Sequence, residues 1–171
     1  MVTVQVQRKV NIDLDKVLAQ LKKKAVYVGI PKENSKRDDG EMTNASLLMI
    51  HSKGSPLRHL PARPVIEPAI EDETNKAKIS RQLIAAVNKG LNGDQAGFVA
   101  GLNAAGLQAQ NVCREWFKNP KNGWDPLAES TKNAKIRKYG KGKKKIDTSS
   151  IIPLVDTGEM RKAITYVLRD A

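Results

Sequence analysis

The spacing of apolar residues along this chain changes period several times, and each change marks an expected element. Val2, Val4 and Val6 alternate with polar residues in "VTVQVQRKV", which predicts an opening strand. In "DLDKVLAQLKK" the period lengthens: Leu14, Val17, Leu18 and Leu21 fall on one helical face, with Asp13 as N-cap and lysines 22 to 24 at the C-terminal end of the dipole. "AVYVGIP" is short and β-branched and stops at Gly29 and Pro31, so it reads as a strand. A polar loop, "KENSKRDDGE", leads to a helix over residues 43–51 with Ala45, Leu48 and Met49 on one face.

The middle of the chain is helical on its pattern. From Pro64, the residues Ile66, Ile70, Ala77, Ile84 and Leu91 recur mostly at sevens, and Leu83 and Val87 widen that stripe until Gly90 and Gly93. A second helix over 94–118 carries Phe98, Leu102, Ala105, Ala109, Val112 and Trp116, spaced by threes and fours. The glycine corner between them predicts an antiparallel hairpin, and Gly97, Gly101 and Gly106 permit close backbone approach at some cost in helix propensity. After the turn-rich "NPKNGWDPLAEST" comes a short helix over 126–138, then a flexible basic loop over 138–150. Ile164, Tyr166 and Leu168 alternate with Thr165, Val167 and Arg169 as a last strand. Strands at both ends and one near residue 28 predict an α+β fold. Its small antiparallel sheet packs against two long helices forming a hairpin, with shorter helices around them.

Length and composition sharpen this picture. At 171 residues the chain is expected to form one domain, over 1–171. A single cysteine, Cys113, excludes an internal disulfide framework and points to a reducing compartment. The longest apolar run, "LIAAV", is far below the roughly 18 residues of a membrane span. With no export signal either, the expectation is a soluble protein in the cytoplasm where it is made. The net charge is +12, and Lys132, Lys135, Arg137, Lys138, Lys141, Lys143, Lys144 and Lys145 supply eight of those charges with no acid among them. Such a cluster suits phosphate neutralisation, with Lys138, Lys141, Lys143, Lys144 and Lys145 as the DNA-facing candidates. A solvated loop fits as well, because Tyr139 is the only aromatic in the stretch and base stacking needs more.

Little in the sequence assembles a catalytic site. "LVDTGEM" contains Asp156-Thr157-Gly158, the tripeptide of aspartic proteases, whose chemistry needs two carboxylates sharing a proton. The competing reading is a helix start, with Asp156 as cap and Glu159 reaching back in a capping box, and it is preferred. His51 and His59 have no accompanying cluster of ligands, so no metal or other cofactor is expected. Cys113 lies near the apolar stripe of the second long helix and reads as a buried small hydrophobe. A non-enzyme is the expectation.

The remaining motif is "HLPARPVIEPAIEDE". Pro61 and Pro64 stiffen the approach to the long helix, and a proline costs least in a first turn. Glu67, Glu71, Asp72 and Glu73 suit the helix N-terminus. Arg63 is left over, a guanidinium between two prolines and thus a pre-organised fork for a carboxylate, either Asp156 or an acid on a neighbouring subunit.

Taken in order, "NASLLMIHSKG", "LPARPVIEPAI", the two long helices, "LAESTKNAKIRKYGKGKK" and "PLVDTGEMRKAITYVL" give the chain a resemblance over residues 25–168. It resembles the neck or tail-completion proteins of long-tailed bacteriophages, the virion-morphogenesis group that includes minor tail protein Z-like members. Pro61, Arg63 and Pro64 match that family's first motif. Pro126, Leu127, Thr131 and Lys135 (or Lys132) match the second loosely, and Leu154, Asp156, Thr157, Gly158, Met160 and Ile164 match the third. Two departures are Val65, where the family often has an aromatic, and the lysines around 141–145. The resemblance implies a non-enzymatic virion component at the head–tail junction, made in the host cytoplasm. It implies a ring of copies, six-fold by analogy, touching the tail terminator or tail tube and the head connector. Its contact residues would be Pro61, Arg63, Pro64, Asp156, Thr157 and Gly158, with DNA passing through the neck beside the basic loop.

Overall fold

The computed structural model of the chain describes residues 22–37, 41–139 and 151–170, with positions 15, 18 and 19. In chain order these form strand β1 (Lys24–Gly29) and helices α1 (Asn44–Lys53), α2 (Ile66–Glu71), α3 (Glu73–Leu91) and α4 (Gln95–Trp116). Helices α5 (Glu129–Tyr139) and α6 (Glu159–Ala163) and strand β2 (Thr165–Asp170) complete the order, with short 3-10 turns between elements. The architecture is α+β: β1 and β2 pair antiparallel, Val26 opposite Leu168 and Val28 opposite Tyr166, and the helical hairpin of α3 and α4 packs on this ribbon through α4. The strand expected at 2–6, most of the helix expected before residue 22 and the basic stretch from residue 140 to 150 lie outside the described residues.

Helix α4 is the spine, and its local sequence explains why. Asp94 caps it by accepting from the Gly97 N–H at 2.7 Å. The expected stripe of Phe98, Leu102, Ala105, Ala109, Val112 and Trp116 is buried throughout. The main core gathers at its C-terminal half, where Cys113, Trp116 and Phe117 meet Leu48 of α1, Val65, Ala69 of α2, Met160 of α6 and Ile164. Phe117 and Trp124 stack edge to face with centroids 5.8 Å apart. A smaller core of Ala86, Phe98 and Leu102 lies between α3, α4 and the sheet. Gly106 lets β2 approach, because a Cβ there would stand 2.3 Å from the Tyr166 ring.

Three expectations about helices need correction. The long helix from Pro64 is two helices, broken where Asp72 turns extended (ψ 126°) and its carboxylate caps α3 at the Asn75 N–H. A salt bridge of 2.8 Å to Lys121 braces that corner. The break shifts the helical phase, so Ile84 is 61% exposed and Ala77 also faces out, while Ala86 and Gly90 take the buried positions. On α1, Leu48 is buried as expected but Met49 is exposed. Helix α5 runs to Tyr139, so Lys138 belongs to a helix and not to a loop. None of the described helices is long and apolar enough to cross a membrane.

Candidate functional site

Three helices, α1, α5 and α6, and the loops beside them are clipped around one cavity. At the end of α1, Gly54 (φ 70°, ψ −177°) turns the chain, Ser55 and Leu60 exchange backbone hydrogen bonds, and His59 adopts a left-handed φ of 49°. The Arg63 N–H then donates to the His51 carbonyl at 2.7 Å, which folds "HLPAR" back against its own helix. From the other side, Arg114 of α4 donates to the carbonyls of Ile164 and Lys162, both at 2.8 Å, and Arg161 Nε donates to the Arg114 carbonyl at 2.7 Å. These bonds fix α6 and the residue after it, directly downstream of Asp156-Thr157-Gly158. Lys135 reaches from α5 and donates to the Val155 and Ile152 carbonyls at 2.6 and 3.1 Å, which closes the third side.

The cleft between these elements, open on one side, holds about 600 Å³, within the range of ordinary ligand sites. Pro61 and Arg63 line it from the first motif. Pro126, Leu127, Thr131 and Lys135 line it from the second, and Leu154, Asp156, Thr157, Gly158 and Met160 from the third. Segments separated by more than sixty residues thus converge on one site. Pro64 and Ile164 are the exceptions. Pro64 stands behind the wall, where its carbonyl accepts from the Trp124 indole N–H at 3.1 Å, and Ile164 is fully buried in the main core. Val65 is fully buried there too, in a cluster that includes Phe117 and Trp124, so the aromatics at this place come from elsewhere in the chain.

Several side chains play parts the sequence did not announce. Arg63 does not meet Asp156: its Nη2 donates to the Asp125 carbonyl at 3.0 Å, the residue is 5% exposed, and its buried Nε has no hydrogen-bond partner among the described residues. Asp156 does not cap α6 either. Its carboxylate accepts from Lys138 Nζ at 2.7 Å and from the Tyr139 hydroxyl, and it is Thr157 Oγ1 that accepts the Glu159 N–H. The Lys138 and Tyr139 hydrogen bonds hold the Asp156 carboxyl below its ordinary range, the reverse of a pair of acids sharing one proton. Lys138 thus has a partner within the chain, in an ion pair that stays on the exposed surface. Lys132 likewise pairs with Glu129 at 2.6 Å. Lys141, Lys143, Lys144 and Lys145 lie outside the described residues.

Polar groups left without partners gather at this cavity. Of the six buried side-chain atoms lacking a hydrogen bond among the described residues, four belong to its wall: Arg37 Nε, His51 Nδ1, Arg63 Nε and Glu159 Oε2. An orphaned buried donor costs about 1–3 kcal/mol, and more when charged. Arg37 Nε and Glu159 Oε2 stand 3.9 Å apart, an ion pair by distance but too long for a hydrogen bond. Both histidines of the chain line the same wall, and among the described residues no group of three or more His, Cys, Asp or Glu side chains could hold a metal. Cys113 stays apart. It is fully buried, and burial pushes its thiol up to about 12, which leaves it without thiolate character.

His51 gives this site a pH dependence. Burial first, and the Arg63 charge second, push its imidazole below the ordinary value. The unfolded chain, with a histidine pKa near 6.5, therefore takes up a proton before the folded one does. The stability that neutral His51 contributes is full above pH about 6.5 and is lost as pH falls through the folded value. Thermal unfolding followed from pH 7.5 down to 5 is expected to show a falling midpoint, with a shallower fall in His51→Gln. Equal slopes in the two proteins would refute this.

Comparison with known protein families, with curated proteins and with solved structures finds no match to this chain.

Proposed function

We propose that this chain is a structural component of a bacteriophage neck, completing the tail and joining it to the DNA-filled head through protein–protein contacts in a ring of its own copies. One observation supports the reading above others: the three motifs that carry the resemblance converge on one cavity, although the first lies more than sixty residues before the other two. Motif residues chosen by chance would scatter over the surface and core. An α+β body with a long helical hairpin also agrees with what the resemblance implies. In this reading the partners are the tail tube or tail terminator, the head connector and neighbouring copies. A ring of that kind joins one patch to a different patch on the next copy, and closes when the rotation permits. The virion, with the host cytoplasm during assembly, is then its place.

The alternative is a basic nucleic-acid-binding module over 132–145. In the described part of that stretch, Lys132 and Lys138 are paired with acids and Lys135 turns inward to carbonyls. Arg137 is the one cation there with no such contact among the described residues, which favours the neck reading. Mass photometry of the purified chain, alone and with tail tubes, tests the two together. The neck reading expects binding at tail ends, with or without a ring in free solution. No association with tails or heads, joined to salt-sensitive retention of duplex DNA that vanishes when Lys141, Lys143, Lys144 and Lys145 are neutralised, would install the alternative.

A further inference from the structure

A buried guanidinium with a free N–H is rare because a charge removed from water needs a partner. Arg63 is in that condition, and its Nε, the Nε of Arg37 and Nδ1 of His51 share one cavity wall. When unsatisfied polar atoms in a folded chain concentrate at one concave place, a bound group that completes them is the physical explanation.

We propose that this cavity receives the carboxylate of an acidic side chain on a partner protein segment, with Arg63 and Arg37 as its chief donors. Charge selects the ligand first. Asp156 is already neutralised by Lys138 at 2.7 Å, so Arg37, Arg63 and Lys135 face the single charge of Glu159. The wall has positive charge to spare, which rejects cations and favours an anion. A guanidinium holds a carboxylate by charge-assisted hydrogen bonds, stronger than neutral ones. His51, whose backbone carbonyl already holds the Arg63 N–H, adds a ring nitrogen able to donate.

The rest of the wall selects the carrier. Leu60, Leu127, Leu154 and Met160 line the cavity beside the cations. They suit an acid flanked by apolar residues, as in a peptide, and would stay wet around a bare phosphate. A nucleic-acid backbone offers each phosphate a sugar and another charge, not an apolar side chain. Leu154 adopts a left-handed φ of 60° on this wall, a conformation that costs an ordinary residue free energy and sets the mouth's shape in advance. The cavity keeps this chemistry whether or not the chain belongs to a phage neck.

The test is a titration of the full chain with capped Leu-Asp-Leu and capped Leu-Asn-Leu peptides, followed by proton NMR of the imidazoles of His51 and His59. Both signals are expected to shift with the Asp peptide at about millimolar affinity, and the Asn peptide is expected to bind roughly tenfold more weakly. Arg63→Met should abolish the preference for Asp. If that variant fails to fold, Arg37→Gln, whose side chain is only partly buried, is expected to reduce the preference several-fold. Equal binding of the two peptides overturns the proposal. So does silence up to about 10 mM, an undiminished Asp preference in the folded variants, or displacement of the peptide by inorganic phosphate at a lower concentration than acetate requires.

Discussion

Replacing Gly54 by alanine is expected to destabilise the chain by about 2–5 kcal/mol and to dislodge the loop that carries Arg63. Two effects combine. The backbone at Gly54 has φ 70° and ψ −177°, a region that essentially only glycine occupies and that costs other residues about 1–3 kcal/mol. A Cβ there would also stand 2.8 Å from both the Ala62 nitrogen and the Leu60 carbonyl oxygen. Those atoms are backbone, so relief requires the loop to move. The loop in turn is tied to α1 by the Arg63 N–H bond to the His51 carbonyl, so moving it opens the cavity. Thermal melting should show a fall of roughly 2–4 °C per kcal/mol for a chain of this size. Near-ultraviolet circular dichroism should change as well, because the Trp124 indole bonds the Pro64 carbonyl at the loop's end. Gly123→Ala is the control: its φ is also positive, at 62°, but no atom lies within 4 Å of the Cβ position, so its loss should be only about 1–2 kcal/mol. Equal losses at the two glycines would show that crowding at Gly54 is not the cause.

Valine at Gly101 is expected to cost on the order of 3 kcal/mol by wedging the helical hairpin apart. A Cβ at Gly101 would lie 2.5 Å from the Ala86 Cβ and 2.8 Å from its Cα, and Ala86 is fully buried. No flexible side chain stands there to yield. Alanine at Gly101 is a sharper probe, since helix propensity alone would make it stabilising by about 1 kcal/mol. Contact with Ala86 should reverse that sign. Shortening the partner should restore it: Ala86→Gly combined with Gly101→Ala is expected to be more stable than the sum of the two single changes, with a coupling of about 1–2 kcal/mol. Urea unfolding of the four proteins measures the coupling. Additive losses would mean that the helices do not touch closely here.

How far these features were readable in advance depended on how local their causes are. The α4 stripe was legible because helix period and burial coincide over the whole element, from Phe98 to Trp116. The same reasoning failed on α2 and α3, since a cap at Asp72 competes with helix continuation and a single extended residue rotates everything after it. That is why Ile84, central to the expected stripe, faces out. Thr43, which does cap α1 by accepting from the Ser46 N–H, shows the local rule working where nothing competes. At Asp156 it did not: a lysine and a tyrosine from α5 took its carboxylate, and a cationic donor holds a carboxylate more strongly than a neutral N–H does.

The amino-acid pattern by itself determined the class of the fold, a strand near residue 28 and another at residues 164–169, the helical hairpin, and Arg63 as a side chain with no local purpose. All of these follow from interactions between near neighbours, or from a period that repeats. Only the tertiary structure decided that Arg37, His51, Arg63 and Glu159 share one wall, and that one buried polar atom of each has no partner among the described residues. Being unsatisfied is a property of an enclosed place and not of a residue. It exists only once distant segments have removed the water from around a group.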